Sequence, residues 1–295
     1  MLRGLYTAAS GMITQQRRHD TITQNIANIN TPGYKEVESI ERSFPEMLIS
    51  LSGGDQGQTS RQIGRINTGV LAEESVSVNV QGDVRQTNSL DDFAIVSEMN
   101  LPNPATGQNI PFDASGKYVA DNGTITYRPQ AFFAVTGKDG ETGYTRDGNF
   151  QLDGAGNLRT STGNAVLGSN GNPVTLQGSM SDYNVDSRGV ISSKQTGQQV
   201  GQIGITVVNQ PGLMTRTGDG LFQISAANTA EAGVRQLQAA DNVELRQGYL
   251  EGSTVDAAAS MVELSAALRA YEANQKIVQF YDKSLDKTVN DVGRV

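Results

Sequence analysis

At both ends of this chain, apolar residues recur at alternating three- and four-residue steps. Near the start the seam is Leu5, Ala8, Met12, Gln15, His19, Ile22, Ile26 and Ile29. Near the end it is Ala257, Met261, Leu264, Leu268, Tyr271, Gln275, Val278, Asp282, Leu285, Val289 and Val292. Such a repeat describes a helix with one stripe to bury against another helix. Alone, each helix leaves its stripe in water, and helical propensity does not compensate for that. Both ends therefore need helical partners, either each other or other copies, and the repeat by itself does not choose between these.

The first helix is expected over residues 4–29, about 39 Å at the α-helical rise. Asn28, Asn30, Thr31, Pro32, Gly33 and Tyr34 form its exit: Pro32 forbids continuation, Thr31 is biased out of helical geometry by the proline, and Gly33 can take a left-handed cap. The N-terminal assembly segment is thus 1–34. Residues 35–74 read as an extended connector with little core, including the polar run Ser52-Gly53-Gly54-Asp55-Gln56-Gly57. From Ser75 the period becomes two, with Val76, Val78 and Val80 on one side. Strands are expected at 131–135, 150–152, 165–167, 203–208 and 221–224. Between or beside them stand Asp139-Gly140, Asp147-Gly148, Asp153-Gly154, Asn170-Gly171, Arg188-Gly189 and Asp219-Gly220, suited to tight turns. These make 75–240 an antiparallel β domain. The last segment, 241–295, is a helix with its lead-in, starting near Ser253, where Ser253-Thr254-Val255-Asp256 has capping-box spacing. The fold class is α+β, with long terminal helices packing together in a coiled-coil-like manner and a central, mostly antiparallel β domain.

The chain has 295 residues and a net charge of -8, so it lacks the basic footprint of a nucleic-acid binder. It has no cysteine, which removes disulfides and thiolate chemistry. No apolar stretch is long enough to cross a membrane, and the start lacks a signal-peptide core, so any export is expected to use another route. His19, the sole histidine, sits beside Asp20, and adjacent helical residues do not face one another, which disfavours a triad or metal site. Asp147 and Asp153 lie in turns without the ligand spacing of a calcium loop, and no phosphate-cradling motif occurs. No catalytic residue, cofactor or metal is expected.

Several segments carry a resemblance. Leu5-Tyr6-Thr7-Ala8-Ala9-Ser10-Gly11-Met12 and Asn25-Ile26-Ala27-Asn28-Ile29-Asn30-Thr31-Pro32-Gly33-Tyr34-Lys35 resemble the N-terminal signature of the bacterial flagellar rod, hook and hook-associated family. Ser89 to Ile95 with Phe132 to Val135, and Tyr144 to Phe150 with Asp153 to Gly168, resemble its β domain. Gln247-Gly248-Tyr249-Leu250-Glu251, Glu263-Leu264 and Arg269 to Asn274 resemble its C-terminal block. The resemblance implies an axial structural protein of the flagellar basal body, exported by the flagellar type III apparatus. It also implies a self-polymer, in contact with neighbouring rod and hook proteins, and most like a distal-rod-type subunit. Its assembly interface is expected at Leu5, Ala8, Met12, Ile22, Ile26, Ile29, Met261, Leu264, Leu268, Tyr271, Val278 and Leu285. The family runs from its Ala-Ile strand through a short turn into its Phe-Phe strand, whereas here residues 97–130 intervene and read as a surface insertion. The rival expectation is a secreted β-rich fibre or adhesin with helical stalks.

Overall fold

The computed structural model describes residues 2–51, 61–102, 108–113, 115–121, 123–137 and 140–292. The Ser52 to Gly57 run, Asp139 and part of the 97–130 segment lie outside the described residues. Two compact units emerge: a helical one made of 1–27, 37–76 and 256–295, and a β unit made of 28–36 and 77–255.

In the helical unit, α1 spans Leu2–Ala27 and α3 spans Ala257–Lys287, followed by a π-helical turn, Thr288–Val292. The first helix ends two residues before the expected stop. A turn closes it, in which the Thr31 amide donates to the Asn28 carbonyl and the Thr31 hydroxyl to Asn28 Oδ1, both at 3.1 Å. Helix α3 starts later than expected. Its cap is Asp256, whose carboxylate accepts from the amides of Ala258 and Ala259. Ser253 Oγ accepts from the Val255 amide in a preceding turn, so the capping-box reading is corrected.

The connector, expected to be extended, also pairs with itself. Glu41–Ser43 pairs antiparallel with Val70–Ala72, and Met47–Leu51 with Arg61–Ile66. Residues whose composition offered little core instead satisfy their backbone groups as a two-stranded ribbon.

The β unit is built on a six-stranded antiparallel sheet, in the order Met214–Gly218, Leu221–Ile224, Thr142–Thr145, Gln130–Thr136, Ile205–Val208, Val234–Gln236. A single helical turn, α2, spans Thr229–Ala232. The apolar run 131–135 is buried on both faces: Phe133 and Val135 join Phe93, Phe150, Leu158 and Ile203 in the main core, while Phe132 packs with Val208 and Phe222 in a second cluster. Phe133 meets Phe150 edge-on, with centroids 4.9 Å apart. Met99, inside the 97–130 segment, also enters the main core, and part of that segment forms a hairpin of Lys117–Val119 with Ile125–Tyr127.

Residues 241–255, assigned with the C-terminal helix on sequence grounds, belong to this unit and carry two strands: Val243–Gln247 pairs with Phe93–Ser97, and Tyr249–Glu251 with Val84–Gln86. The alternation expected over 75–80 yields only the two-residue strand Val76–Ser77. Asp219 and Gly220 both have positive φ, as their hairpin requires. Gly148 is needed for a different reason than a turn: a Cβ there would fall 1.7 Å from the Phe93 carbonyl oxygen.

Candidate assembly faces and exit motif

Within the helical unit, α1 and α3 lie side by side. Gly4 faces Tyr281, Gly11 faces Asn274, and Arg18 Nη2 is 3.7 Å from Glu263 Oε2, so the helices run antiparallel. The glycines permit this approach, because a Cβ on Gly4 would sit 2.2 Å from the Tyr281 hydroxyl.

Only part of the expected seam faces this contact. Ala8 and Ile22 are buried, whereas Leu5, Met12 and Ile26 are half-buried; in the β unit, Ile29 is half-buried too. On α3, Leu264, Tyr271, Val278 and Leu285 are half-buried, and Ser260 and Ala267 are buried between them. Met261 and Leu268 are exposed, as are Val262, Ile277 and Phe280. One of the two interleaved rows of the expected α3 seam therefore points away. Its place is taken by residues one position earlier, which are small or polar: Ser260, Ala267, Asn274 and Tyr281.

A second face of α1 gave no apolar signal. Thr7, Ser10, Arg17, Thr21 and Asn25 follow one another at steps of three, seven, four and four residues, along one side of the helix. Thr7 donates to the Thr68 carbonyl, Ser10 accepts from the Val70 amide, Arg17 donates to the Ala72 carbonyl, and Thr21 meets Ser75 Oγ. Asn25 is buried and binds both backbone groups of Val37, at 2.8 and 3.0 Å. This polar stripe docks the connector's backbone onto the helix. His19 does approach its neighbour, contrary to expectation: Nδ1 is 3.6 Å from Asp20 Oδ1.

The exit motif belongs to the β unit. Asn30 is exposed and Pro32 half-buried. Gly33 has φ +68°, but in the turn beyond the helix end rather than as the helix cap. Its amide donates to the Glu251 carbonyl at 2.9 Å, and a Cβ there would lie 2.4 Å from the Arg146 carbonyl carbon. The Tyr34 carbonyl accepts from the Thr254 amide, and the Glu36 amide donates to Thr254 Oγ1 at 2.7 Å. The Arg216 guanidinium lies 4.4 Å over the Tyr34 ring and donates to the Lys35 carbonyl.

Beneath this segment three charges are buried together. Lys35 Nζ donates to Glu251 Oε1 at 2.6 Å and to the Val80 carbonyl. Arg146 Nε is 2.8 Å from Glu251 Oε2, an ion pair without hydrogen-bond alignment, and Arg146 also donates to the Ala131 carbonyl and Gln81 Oε1. Glu251 Oε1 further accepts from the Gly82 amide at 2.7 Å. Burial drives the Lys35 ammonium down to about 8, with Arg146 adding to the fall and Glu251 opposing it. Burial pushes Glu251 up, but Arg146 and Lys35 outweigh it and hold the carboxyl below its usual range.

Asp153, once considered for calcium, is occupied by its own turn: it accepts from the amides of Ala155 and Asn157 and pairs with Arg159 at 2.7 Å. Sequence reasoning missed the roles of Arg146, Arg216 and Glu251. Arg146 and Glu251 lay within segments carrying the family resemblance, but nothing local pairs positions so far apart.

Known proteins match this sequence from end to end. Residues 5–35 match the family described as "Flagella basal body rod protein", 129–193 the "Flagellar hook protein FlgE/F/G D1 domain", and 246–291 the "Flagellar basal body rod FlgEFG protein C-terminal". The flagellar hook-basal body complex protein FlhO of Bacillus subtilis is 32% identical over 100% of both chains. The flagellar basal-body rod protein FlgG of Borreliella burgdorferi is 30% identical over 97% of each, and that of Bacillus subtilis 29% identical over 98% of this chain and 99% of its own. These relationships do not favour the β-rich fibre reading. No helix among the described residues is long and apolar enough to cross a membrane. With full-length relatives of this kind, and family matches on both terminal helices and the sheet, the chain belongs to the flagellar basal-body rod and hook family of structural subunits.

Proposed function

We propose that this chain polymerises through α1 and α3 into part of the flagellar rod, in the distal section, where it transmits torque toward the hook. The observation carrying this reading is the apolar surface that one chain leaves uncovered on its two long helices. Val262 and Phe280 are each 70% exposed, Met261, Leu268 and Ile277 share α3 with them, and Tyr6 and Ile13 stand out from α1. Their burial against neighbouring copies supplies association energy in proportion to the area removed from water. Contacts seven residues apart, Gly4 with Tyr281 and Gly11 with Asn274, are what a coiled-coil-like pair would use. In this reading, resistance to shear comes from interdigitated helices, and the protein needs no catalytic group or cofactor. Its partners are further copies, adjoining rod and hook proteins, and the flagellar type III export apparatus. The residues at 97–130 act as an insertion on the β unit.

Electron microscopy of basal bodies from cells lacking the gene tests the proposal. A shaft that stops short, without a hook, is the expected result. Complete rotating flagella would overturn it.

A further inference from the structure

Lys35, Arg146 and Glu251 come from three distant parts of the β unit, and the side chains of all three are at most 1% exposed. Two cations share one carboxylate. Without Glu251, the other two would carry a double positive charge into the interior with no counter-ion, which costs several kcal/mol per ion. The same residue also holds the exit segment through its backbone, by accepting the Gly33 amide, and it takes the Gly82 amide on its carboxylate. One residue near the end of the β unit thus supplies the counter-charge, the backbone pairing and the chain junction around 33–36.

We propose that Glu251 is an order-of-completion latch: the segment 28–36 closes onto the β unit only after residue 251 has taken its place, while the main sheet forms without it. None of the six strands of the sheet contains Lys35 or Glu251, and the one member of the trio bonded to the sheet, Arg146 on the Ala131 carbonyl, brings no like charge with it, so the strands can pair before residue 251 is in place. The closing segment cannot, because docking Lys35 beside Arg146 before Glu251 arrives brings two like charges together in a dry site. Arg216 then covers the closed segment by stacking on Tyr34. In a chain exported N-terminus first, a consequence that rests on the function proposed above, the exit motif would stay open until residue 251 had emerged.

Charge balance separates a latch from an ordinary contact. Glu251→Gln leaves two buried cations unpaired, whereas Lys35→Met leaves the balanced Arg146–Glu251 pair. Hydrogen exchange on the full-length chain should show the amides of Gly33 and Glu36 losing about a hundredfold or more of their protection in Glu251→Gln. In Lys35→Met they should stay near wild type, and the strands Gln130–Thr136 and Ile205–Val208 should remain protected in both. If Glu251→Gln does not fold, the double variant Lys35→Met/Glu251→Gln, which buries one unpaired cation instead of two, should be more stable than that single variant. Pulse labelling during refolding should show 33–36 becoming protected together with 249–251 and after the sheet. Equal losses in the two single variants, full protection in Glu251→Gln, a double variant no more stable than Glu251→Gln, or closure of 33–36 before 249–251 would each overturn the latch.

Discussion

On the assembly proposed above, Leu268 and Ile22 lie on the two sides of the distinction between what joins subunits and what holds one subunit together. Leu268 is 43% exposed and Ile22 only 4%. Covering what remains of Leu268 in an assembled rod is worth about 1 kcal/mol. An aspartate in its place forfeits that and must also shed water from a carboxylate, at a further cost of a few kcal/mol. Since about 1.4 kcal/mol is a factor of ten in affinity, Leu268→Asp should raise the concentration needed for polymerisation by at least about a hundredfold. In the free subunit the same change costs about 0.5 kcal/mol, a matter of helix propensity at an exposed site. Ile22→Asp is the converse: it buries a charge between α1 and its neighbours and should destabilise the free subunit by about 3–5 kcal/mol. Hydrogen exchange of α1 and α3 in the free protein, together with sedimentation of the polymer, separates the two effects. If Leu268→Asp polymerises at the wild-type concentration, the exposed row of α3 is not a subunit interface.

Gly33→Ala should lower the unfolding temperature of the β unit by at least about 5 °C, because its φ of +68° is strained for alanine and the new methyl meets Arg146 backbone. Gly163→Ala, also at positive φ but with open space around it, should cost much less in the same melt. Asp256→Ala removes the cap of α3 and should cost about 1 kcal/mol by chemical denaturation, with fraying confined to its first turn. Between pH 8 and 10.5 the unfolded chain holds the Lys35 proton that the folded one has shed, so this residue makes stability rise with pH across that window and contributes no slope below it. Denaturation of wild type against Lys35→Met over pH 7–10.5 should show the difference between them changing in that direction; a constant difference would contradict the assignment.

The long helices were legible because a period of three and four residues survives in sequence whatever the partner. Their orientation was not. On α3, Met261 and Leu268 fit the repeat as well as Leu264 and Tyr271 do, and only the presence of Gly4 and Gly11 on α1 lets Tyr281 and Asn274 come close. The glycines were visible, but nothing in the local sequence marks them as sites of close approach. The stripe Thr7, Ser10, Arg17, Thr21 and Asn25 carried helical spacing too, yet polar residues at that spacing normally describe a solvated face. Here they bind the carbonyls and amides of the connector. The strands at 131–135, 205–208 and 221–224 followed from apolar runs bounded by turns, whereas the pairing of 41–51 with 61–72 was missed because pairing, not apolar content, holds it. The Lys35, Arg146 and Glu251 cluster lay beyond any local pattern, since its members are far apart in sequence and are brought together only by the fold of the β unit.

The chain has no cysteine, so Leu268→Cys would carry its sole thiol, on the exposed row of α3. Maleimide labelling of that variant, as free subunit and in isolated basal bodies, tests most directly whether the terminal helices join copies. The account predicts rapid labelling of the free subunit, shielding in the intact rod and full labelling once the rod is denatured. Equal labelling of free and assembled protein would contradict it.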